Sequence, residues 1–279
     1  MDLRKLDSIK RELFIFIILI IFFYRSPYIF LNGRFMAEEG SIYFANAYRY
    51  DFFYSLFFVD FNSGYLNLWA NISGIISNFF SLLLAPLISN YLALIPKIII
   101  LYLSIYKDSI FLKSFFHKIL FCLLIFLSPL NIPEIWLNSI NSQIFFCIIT
   151  LVLCFINYSN GSKNYYYLIL IFFGGLTGIY SCILLPIFYL KYFLYKTKQD
   201  LLNLIALSLC TITQILIIIY AKTSNLIYSG KFNFLDTEIL TNYTYNVLIK
   251  VFIGTPLTKY IFYNFINLDF FYLTIIIII

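Results

Sequence analysis

The sequence predicts an all-α protein, a polytopic bundle of transmembrane helices, and three observations support this prediction. Hydrophobic residues make up 62% of the 279-residue chain and charged residues only 11%, a balance that a soluble domain cannot place on its surface. The apolar runs reach about 20 residues, the length of a helix that crosses a bilayer. The lysines and arginines cluster at the ends of these runs, as the positive-inside rule requires.

The distribution of charge also bears on partners and orientation. A net charge of +6 is typical of nucleic-acid binding when it covers a soluble domain. Here the basic residues flank apolar runs, so no nucleic acid is expected as a partner. Arg4, Lys5, Lys10 and Arg11 precede the first run. We therefore expect a cytoplasmic amino terminus and a multi-pass protein whose partners include the membrane lipids.

The first predicted span covers residues 13–31. Arg25 lies in its outer third, where a guanidinium either extends towards the lipid headgroups or contacts a phosphate group. Pro27 predicts an end or a kink of the helix, because proline lacks the backbone N–H that continues a helix.

The first external loop is predicted at about residues 32–68. It contains a short helix that is expected to lie on the membrane surface. Helical spacing places four of its residues on one face: Glu38, Ile42, Ala45 and Arg49. Three aromatic residues are expected at the lipid interface: Tyr43, Tyr50 and Phe53.

The apolar stretch over residues 66–106 has two interpretations. It forms two short spans, or it forms one span preceded by a second surface helix. The loop at residues 107–118 contains three lysines and is expected in the cytoplasm. This location requires an odd number of crossings and favours the second interpretation.

The next spans are short or interrupted. A span at residues 119–130 leads into an external loop at residues 131–143, from which the chain returns through the membrane. Residues 165–195 are interrupted by a glycine-rich segment, residues 174–178. Because glycines let backbones approach closely, this segment predicts two short helices that meet at an outer turn.

The last predicted span covers residues 201–220, and an external stretch at residues 221–256 follows it. The chain ends inside an apolar run at residues 270–279, from which we expect a truncated reading frame or a fragment. Nothing in the sequence indicates a soluble domain, so residues 1–279 are assigned to a single membrane domain.

Three short motifs follow one another in the first part of the chain: Arg25-Ser26-Pro27, Ala37-Glu38-Glu39-Gly40 and Gly64-Tyr65-Leu66. Their order resembles a family of bacterial multi-spanning membrane proteins related to the GT-C glycosyltransferases, over about residues 20–190. The resemblance implies a GT-C-like fold in the bacterial cytoplasmic membrane. It also implies transfer of a sugar from polyprenyl phosphate to an envelope glycan or lipid at the outer face.

Glu38 and Glu39 are the predicted catalytic pair. A carboxylate at the membrane surface either deprotonates an acceptor hydroxyl or binds a divalent cation, Mg²⁺ or Mn²⁺, that bridges to a lipid phosphate. Adjacent side chains on a helix point about 100° apart, so one carboxylate is expected to act and the other to support it. Alternatively, the pair only stabilises the amino end of a surface helix. Glu39 stands where the family commonly has Asp, which leaves the two roles open.

Further substrate contacts are expected from residues of three segments. Arg25 and Arg34 are candidates for the donor phosphate, and Tyr65 belongs to the motif at the end of the first loop. Four residues of the second external loop offer carboxylate or amide groups to sugar hydroxyls, unless the loop is merely polar: Glu134, Asn138, Asn141 and Gln143. Backbone amides at the glycine-rich segment either face a phosphate or only permit close packing.

Two other functions remain open at this point. A transporter or flippase of lipid-linked glycans would place charged groups or broken helices near the middle of the membrane, for which Lys97 and the glycine-rich segment are the candidates. An inactive truncated fragment is the other alternative.

Overall fold

Helices account for 76% of the residues that the computed structural model describes. These are residues 3–25, 27–107, 109–126, 137–156 and 165–224, and all of them belong to one compact unit. The predicted all-α class is confirmed. The predictions for Glu134 and for the chain beyond residue 224 lie outside the described residues.

The first apolar run forms two helices that meet near Pro27. Helix α1 spans Leu3–Arg25 and helix α2 spans Pro27–Leu31. Proline occupies the first position of α2, where its missing N–H leaves no hydrogen bond unmade. Ile18 and Phe22 of α1 are buried in the core. The predicted interruption at Pro27 is confirmed.

The first loop folds into three short helices and a hairpin. A π-helix spans Glu39–Phe44 and continues directly into α3, Ala45–Arg49. Helix α4 spans Phe52–Leu56, and the Asp51 carboxylate accepts a hydrogen bond from Tyr54 N at its amino end. Strands β1, Val59–Asp60, and β2, Tyr65–Leu66, then pair antiparallel. Gly64 completes the hairpin turn with φ of 72°, a conformation that glycine adopts without steric cost.

One expectation about this loop is wrong. Tyr43 was predicted at the lipid interface, but it is only 4% exposed. The π-helix and α3 pack on the helix at Leu68–Asn78. Their inner face is therefore buried, and it includes Glu39, Tyr43 and Ala47. Tyr50 and Phe53 are exposed, as an interfacial location requires.

The stretch over residues 66–106 contains one short helix and one long helix. Helix α5 spans Leu68–Asn78, and helix α6 spans Ala85–Tyr106. Gly74 of α5 lies against the π-helix, where an added Cβ would come within 2.7 Å of the Tyr43 carbonyl oxygen. The lengths agree with one span preceded by a shorter helix, although α5 is largely buried instead of lying on a surface.

Helix α7 spans Phe115–Phe126 and helix α8 spans Ser142–Phe155. Lys118 was predicted in the loop at residues 107–118, but it lies inside α7 and is buried. Its ammonium donates to the Ile105 carbonyl at 3.1 Å. This contact joins α7 to the end of α6.

Two short helices lie on either side of a break, as predicted, but the break begins only at Thr177, so Gly174 and Gly175 belong to the last turn of the first helix. Helix α9 spans Tyr165–Leu176, a 3₁₀ turn covers Cys182–Leu184, and helix α10 spans Leu185–Tyr195. Helix α11, Lys198–Thr223, packs against both. A buried ion pair between Lys191 Nζ and Asp200 Oδ1, at 2.8 Å, joins α10 to α11.

Two of the described helices, α6 and α11, are long and apolar enough to cross a membrane by length and composition. The other apolar helices in the described ranges are shorter: Phe115–Phe126, Ser142–Phe155, Tyr165–Leu176 and Cys182–Tyr195. Helix α11 exposes a row of large apolar side chains, among them Leu209, Ile212 and Leu216.

Candidate functional site

Glu39 is a buried carboxylate that joins three segments of the chain. Its side chain is 2% exposed. The Oε1 atom accepts hydrogen bonds from Ser139 N at 2.6 Å, Ser139 Oγ at 2.6 Å and Ser89 Oγ at 3.1 Å. The Oε2 atom accepts a hydrogen bond from Met36 N at 2.9 Å. The first loop, helix α6 and the segment before α8 therefore meet at this one side chain.

The electrostatic surroundings of Glu39 combine burial, these donors and a buried lysine. Burial raises the pKa of the Glu39 carboxyl, although the four hydrogen bonds oppose this shift. Lys97 of α6 is also buried and interacts electrostatically with Glu39. The Lys97 ammonium donates to the Ala93 carbonyl at 2.8 Å and lies 3.9 Å from the ring centre of Phe145.

Asn90 extends this buried polar layer on the same helix. Its side chain accepts from Arg34 N at 3.0 Å and donates to the carbonyls of Arg34 at 3.1 Å and Leu137 at 2.8 Å. Ser73 of α5 and Ser89 of α6 share a further hydrogen bond at 3.0 Å. Helix α6 thus binds the backbone that precedes the acidic pair, at Arg34, as well as the side chain of Glu39.

Glu38 differs from its neighbour because its side chain is exposed. It precedes the π-helix but makes no side-chain hydrogen bond that caps it. Its charge acts on Tyr43 and Tyr65 and contributes to the raised pKa values of both phenols. The accessible carboxylate of the acidic pair is therefore that of Glu38.

Tyr65 and Gln143 lie together. Gln143 Nε2 donates to the Tyr65 hydroxyl at 3.3 Å. Burial is the main cause that raises the pKa of Tyr65; the Gln143 hydrogen bond opposes it, and the charge of Asp60 adds to it. Asp60 and Tyr65 are register partners in the hairpin, so their side chains share one face of it.

Gln214 fastens this hairpin to the glycine-rich segment. Its amide accepts from Leu66 N at 3.0 Å and donates to Leu66 O at 3.0 Å and to Gly175 O at 3.2 Å. Gly178 N also donates to Leu66 O at 2.9 Å. A buried amide from α11 thus holds strand β2 against the break between α9 and α10.

The other predicted site residues lie outside the contacts of Glu39 and outside the Tyr65–Gln143 pair. Arg34 is exposed, and only its backbone is bound by Asn90. Asn138 is fully buried, and its Oδ1 accepts from Ile140 N at 2.7 Å and Asn141 N at 3.3 Å. Asn141 is partly exposed just before α8. Arg25 ends α1, but its side chain and all of Glu134 lie outside the described residues.

The structure thus brings Tyr65 and Gln143 together, buries Glu39 and leaves Glu38 exposed. Sequence reasoning missed Ser89, Ser139 and the other partners of Glu39. A signal was present for α6, where polar residues lie two turns apart in an apolar run, Asn90 and Lys97. Polar residues in such a run face the protein interior.

A divalent cation held by the acidic pair stays a prediction. Within the described ranges, no three His, Cys, Asp or Glu side chains are gathered in a group that could hold a metal ion. Glu39 is buried and accepts four hydrogen bonds, whereas Glu38 is exposed, so Glu38 is the more accessible ligand of the pair.

Comparisons of the chain with protein-family models, with curated proteins and with solved structures find no match. The resemblance to GT-C-related proteins therefore rests on the three short motifs alone.

Proposed function

We propose that the chain is a membrane glycosyltransferase of GT-C-like architecture, a polytopic protein of the bacterial cytoplasmic membrane. It transfers a sugar from a polyprenyl-phosphate donor to an envelope glycan or lipid at the outer face. One observation carries the proposal: the exposed carboxylate of Glu38 directly precedes Glu39, a residue that four hydrogen bonds hold in place. The motifs that contain these residues are those that carry the family resemblance.

In the proposed reaction, Glu38 is the general base. Its carboxylate takes the proton from a hydroxyl of the acceptor while the hydroxyl oxygen bonds to the anomeric carbon of the sugar. The bond between that carbon and the phosphate oxygen breaks, and polyprenyl phosphate leaves with the electron pair. The reaction written here contains no step that depends on a metal.

Glu39 is a positioning residue in this proposal. Its four hydrogen bonds hold the start of the π-helix and therefore the backbone from which Glu38 projects. Arg34 is an exposed cation of the same loop, and we assign it to the donor phosphate because guanidinium groups bind phosphate oxygens well. Arg25 shares this assignment from the sequence alone.

The test compares two conservative substitutions in the first loop. Glu38→Gln removes the base but keeps the size of the side chain, and Asp51→Asn is the matched control, because asparagine also caps a helix. Lipid-linked and envelope glycans are analysed in cells with the intact gene, a deletion, or either variant at equal membrane levels. We expect one sugar to be lost in the deletion and in Glu38→Gln, and retained in Asp51→Asn.

One observation favours a second function, a transporter or flippase of lipid-linked glycans. Lys97 is a fully buried cation in α6, which is among the described helices long and apolar enough to cross a membrane, and buried charges in spans are typical of transport pathways. If the deletion alters the glycans while Glu38→Gln retains them, transport becomes the better account. Unchanged glycans in both strains would indicate an inactive fragment.

A further inference from the structure

The turn between α5 and α6 exposes a run of large apolar side chains. Phe79 follows the last residue of α5, and Leu84 precedes the first residue of α6. Leu83 is 88% exposed, and Phe79 is 79% exposed. The exposed apolar residues of the turn are Phe79, Phe80, Leu82, Leu83 and Leu84. Apolar surfaces of this kind mark places where a protein contacts a membrane or another protein.

The backbone of this turn is compact and hydrogen-bonded. Phe80 N donates to Ser77 O at 3.1 Å. Ser81 O accepts from Leu84 N at 2.8 Å and from Ala85 N at 2.9 Å. Backbone groups that enter the hydrocarbon of a bilayer must be hydrogen-bonded within the protein, and these groups meet that requirement. The exposed side chains therefore project from a fixed backbone.

Charge and position favour a lipid surface as the partner of this turn. Residues 61–96 contain no lysine, arginine, aspartate or glutamate, so the turn offers no charged group to a partner protein. Helix α6 begins directly after the turn and is long and apolar enough to cross a membrane. The end of such a helix lies where the hydrocarbon of the bilayer meets the headgroups. With residues 107–118 in the cytoplasm, as proposed, this end of α6 is the outer one.

Helix α3 of the first loop contacts the start of the turn. Asn78, the last residue of α5, donates through Nδ2 to Ala47 O at 3.0 Å. Tyrosine is enriched at the level of the headgroups, because its ring is apolar and its hydroxyl is polar. The exposed aromatic residues that follow Ala47 are Tyr48, Tyr50, Phe52, Phe53, Tyr54 and Phe57. An aromatic border of the kind found at membrane surfaces thus adjoins the apolar turn.

Resting on the membrane location in the proposed function, we infer that the α5–α6 turn inserts its apolar side chains into the outer leaflet, with the tyrosines of the first loop at the level of the headgroups. The turn also sets the depth of the acidic motif. Glu39 is bonded to Ser89, four residues after Ala85, a distance of about 6 Å along α6. The acidic motif therefore lies near the depth of the lipid headgroups.

Tryptophan fluorescence in vesicles tests this docking surface. Leu83→Trp places an indole at the most exposed position of the turn and keeps that position apolar. Ile212→Trp, in the exposed row of α11, is the lipid-facing reference, and Asn62→Trp, in the exposed turn of the hairpin, is the water-facing control. The full chain is reconstituted in vesicles of phosphatidylcholine and phosphatidylglycerol, with or without bromine on the acyl chains. The signal of the unsubstituted protein is subtracted.

Bromine on the acyl chains is expected to quench Leu83→Trp as strongly as Ile212→Trp, because both indoles lie among the chains. Acrylamide dissolved in the water is expected to quench Asn62→Trp and to leave the other two emitting. Equal helical content by circular dichroism establishes that each variant is folded.

If acrylamide quenches Leu83→Trp while bromine quenches Ile212→Trp, the docking surface is overturned and the membrane location stands. If acrylamide quenches both and bromine quenches neither, the membrane location fails, and the proposed function fails with it. If neither quencher acts on Leu83→Trp, a protein partner or a second copy covers the turn, and the assignment to lipid is overturned. The glycan analysis of Glu38→Gln tests the glycosyltransferase proposal separately.

Discussion

At the scale of single residues, the two adjacent glutamates have opposite environments. Glu38 is exposed, whereas Glu39 is buried and accepts four hydrogen bonds. Removing a carboxylate matters for stability only where its loss leaves buried donors without partners. The pair therefore separates a chemical role from a structural role within one dipeptide.

The first prediction compares Glu39→Ala with Glu38→Ala. Glu39→Ala leaves the donors of Met36, Ser89 and Ser139 buried without an acceptor and is expected to cost about 3 kcal/mol of unfolding free energy. Glu38→Ala, at an exposed position, is expected to change it by less than about 0.5 kcal/mol. Thermal unfolding of the two variants in the same detergent measures the difference, and equal midpoints would contradict the structural role of Glu39.

The raised pKa of Glu39 also predicts the direction in which the stability of the protein changes with pH. The pKa of Glu39 is raised by burial above its ordinary value of 4.5, so the folded protein binds the proton more tightly than the unfolded chain. The resulting contribution to stability is complete below the ordinary value and is lost as the pH rises through the raised pKa. Wild-type protein should therefore lose stability over that range by an amount that Glu39→Ala does not show.

At the scale of elements, close contact at glycine determines how the short helices pack. An added Cβ on Gly174 of α9 would lie 2.4 Å from Thr150 Oγ1 of α8, and one on Gly175 would lie 2.5 Å from Cys210 Cβ of α11. Helix α9 is thus enclosed between two neighbours at adjacent residues. Small residues at such positions let helix backbones approach each other.

The second prediction concerns the contact between α8 and α9. Gly174→Ala forces the helices apart and is expected to destabilise the protein by about 1–3 kcal/mol. Thr150→Ala removes the obstructing oxygen, whose hydroxyl is within hydrogen-bond distance of Phe146 O of its own helix, at 2.8 Å, and of Ser181 Oγ, at 3.4 Å. The double variant should be more stable than the sum of the single effects by at least about 0.5 kcal/mol. Additive effects in thermal unfolding would show that this contact does not limit packing.

Features that depend on residues close together in the sequence could be predicted, whereas those that depend on distant residues could not. The break at Pro27 and the break between the two short helices depend on local backbone chemistry; the first was predicted in place, and the second was predicted from residue 174 but begins at Thr177. The burial of Glu39 depends on Ser89 and Ser139, which lie 50 and 100 residues further along the chain. No local pattern contains that information. The hairpin was missed because strands of two residues are too short to show an alternation of polar and apolar side chains.

At the scale of the whole molecule, the described helices differ in length and in exposed apolar surface. Helices α6 and α11 have the required length, and the exposed apolar side chains of α11 need an apolar environment or a partner. The proposed topology places the first loop outside and residues 107–118 in the cytoplasm.

The third prediction tests this topology by cysteine labelling. The five native cysteines are replaced by alanine, and Ser41→Cys or Lys113→Cys is introduced; both positions are exposed. An impermeant maleimide should label Ser41→Cys in cells with an intact cytoplasmic membrane, and Lys113→Cys only after that membrane is permeabilised. Labelling of both from the same side would overturn the topology, and the proposed function with it.

The clamp between Gln214 and strand β2 has a consequence for biosynthesis. Leu66 and Gln214 are 148 residues apart, so the hairpin that contains Tyr65 emerges from the ribosome long before the amide that holds it. Closing so large a loop costs entropy, and docking repays this cost only once the distant contact can form. A nascent chain that ends before residue 214 has the complete acidic motif but lacks the clamp on the hairpin beside it. The candidate site is therefore assembled late in synthesis, when the last described helix joins the others.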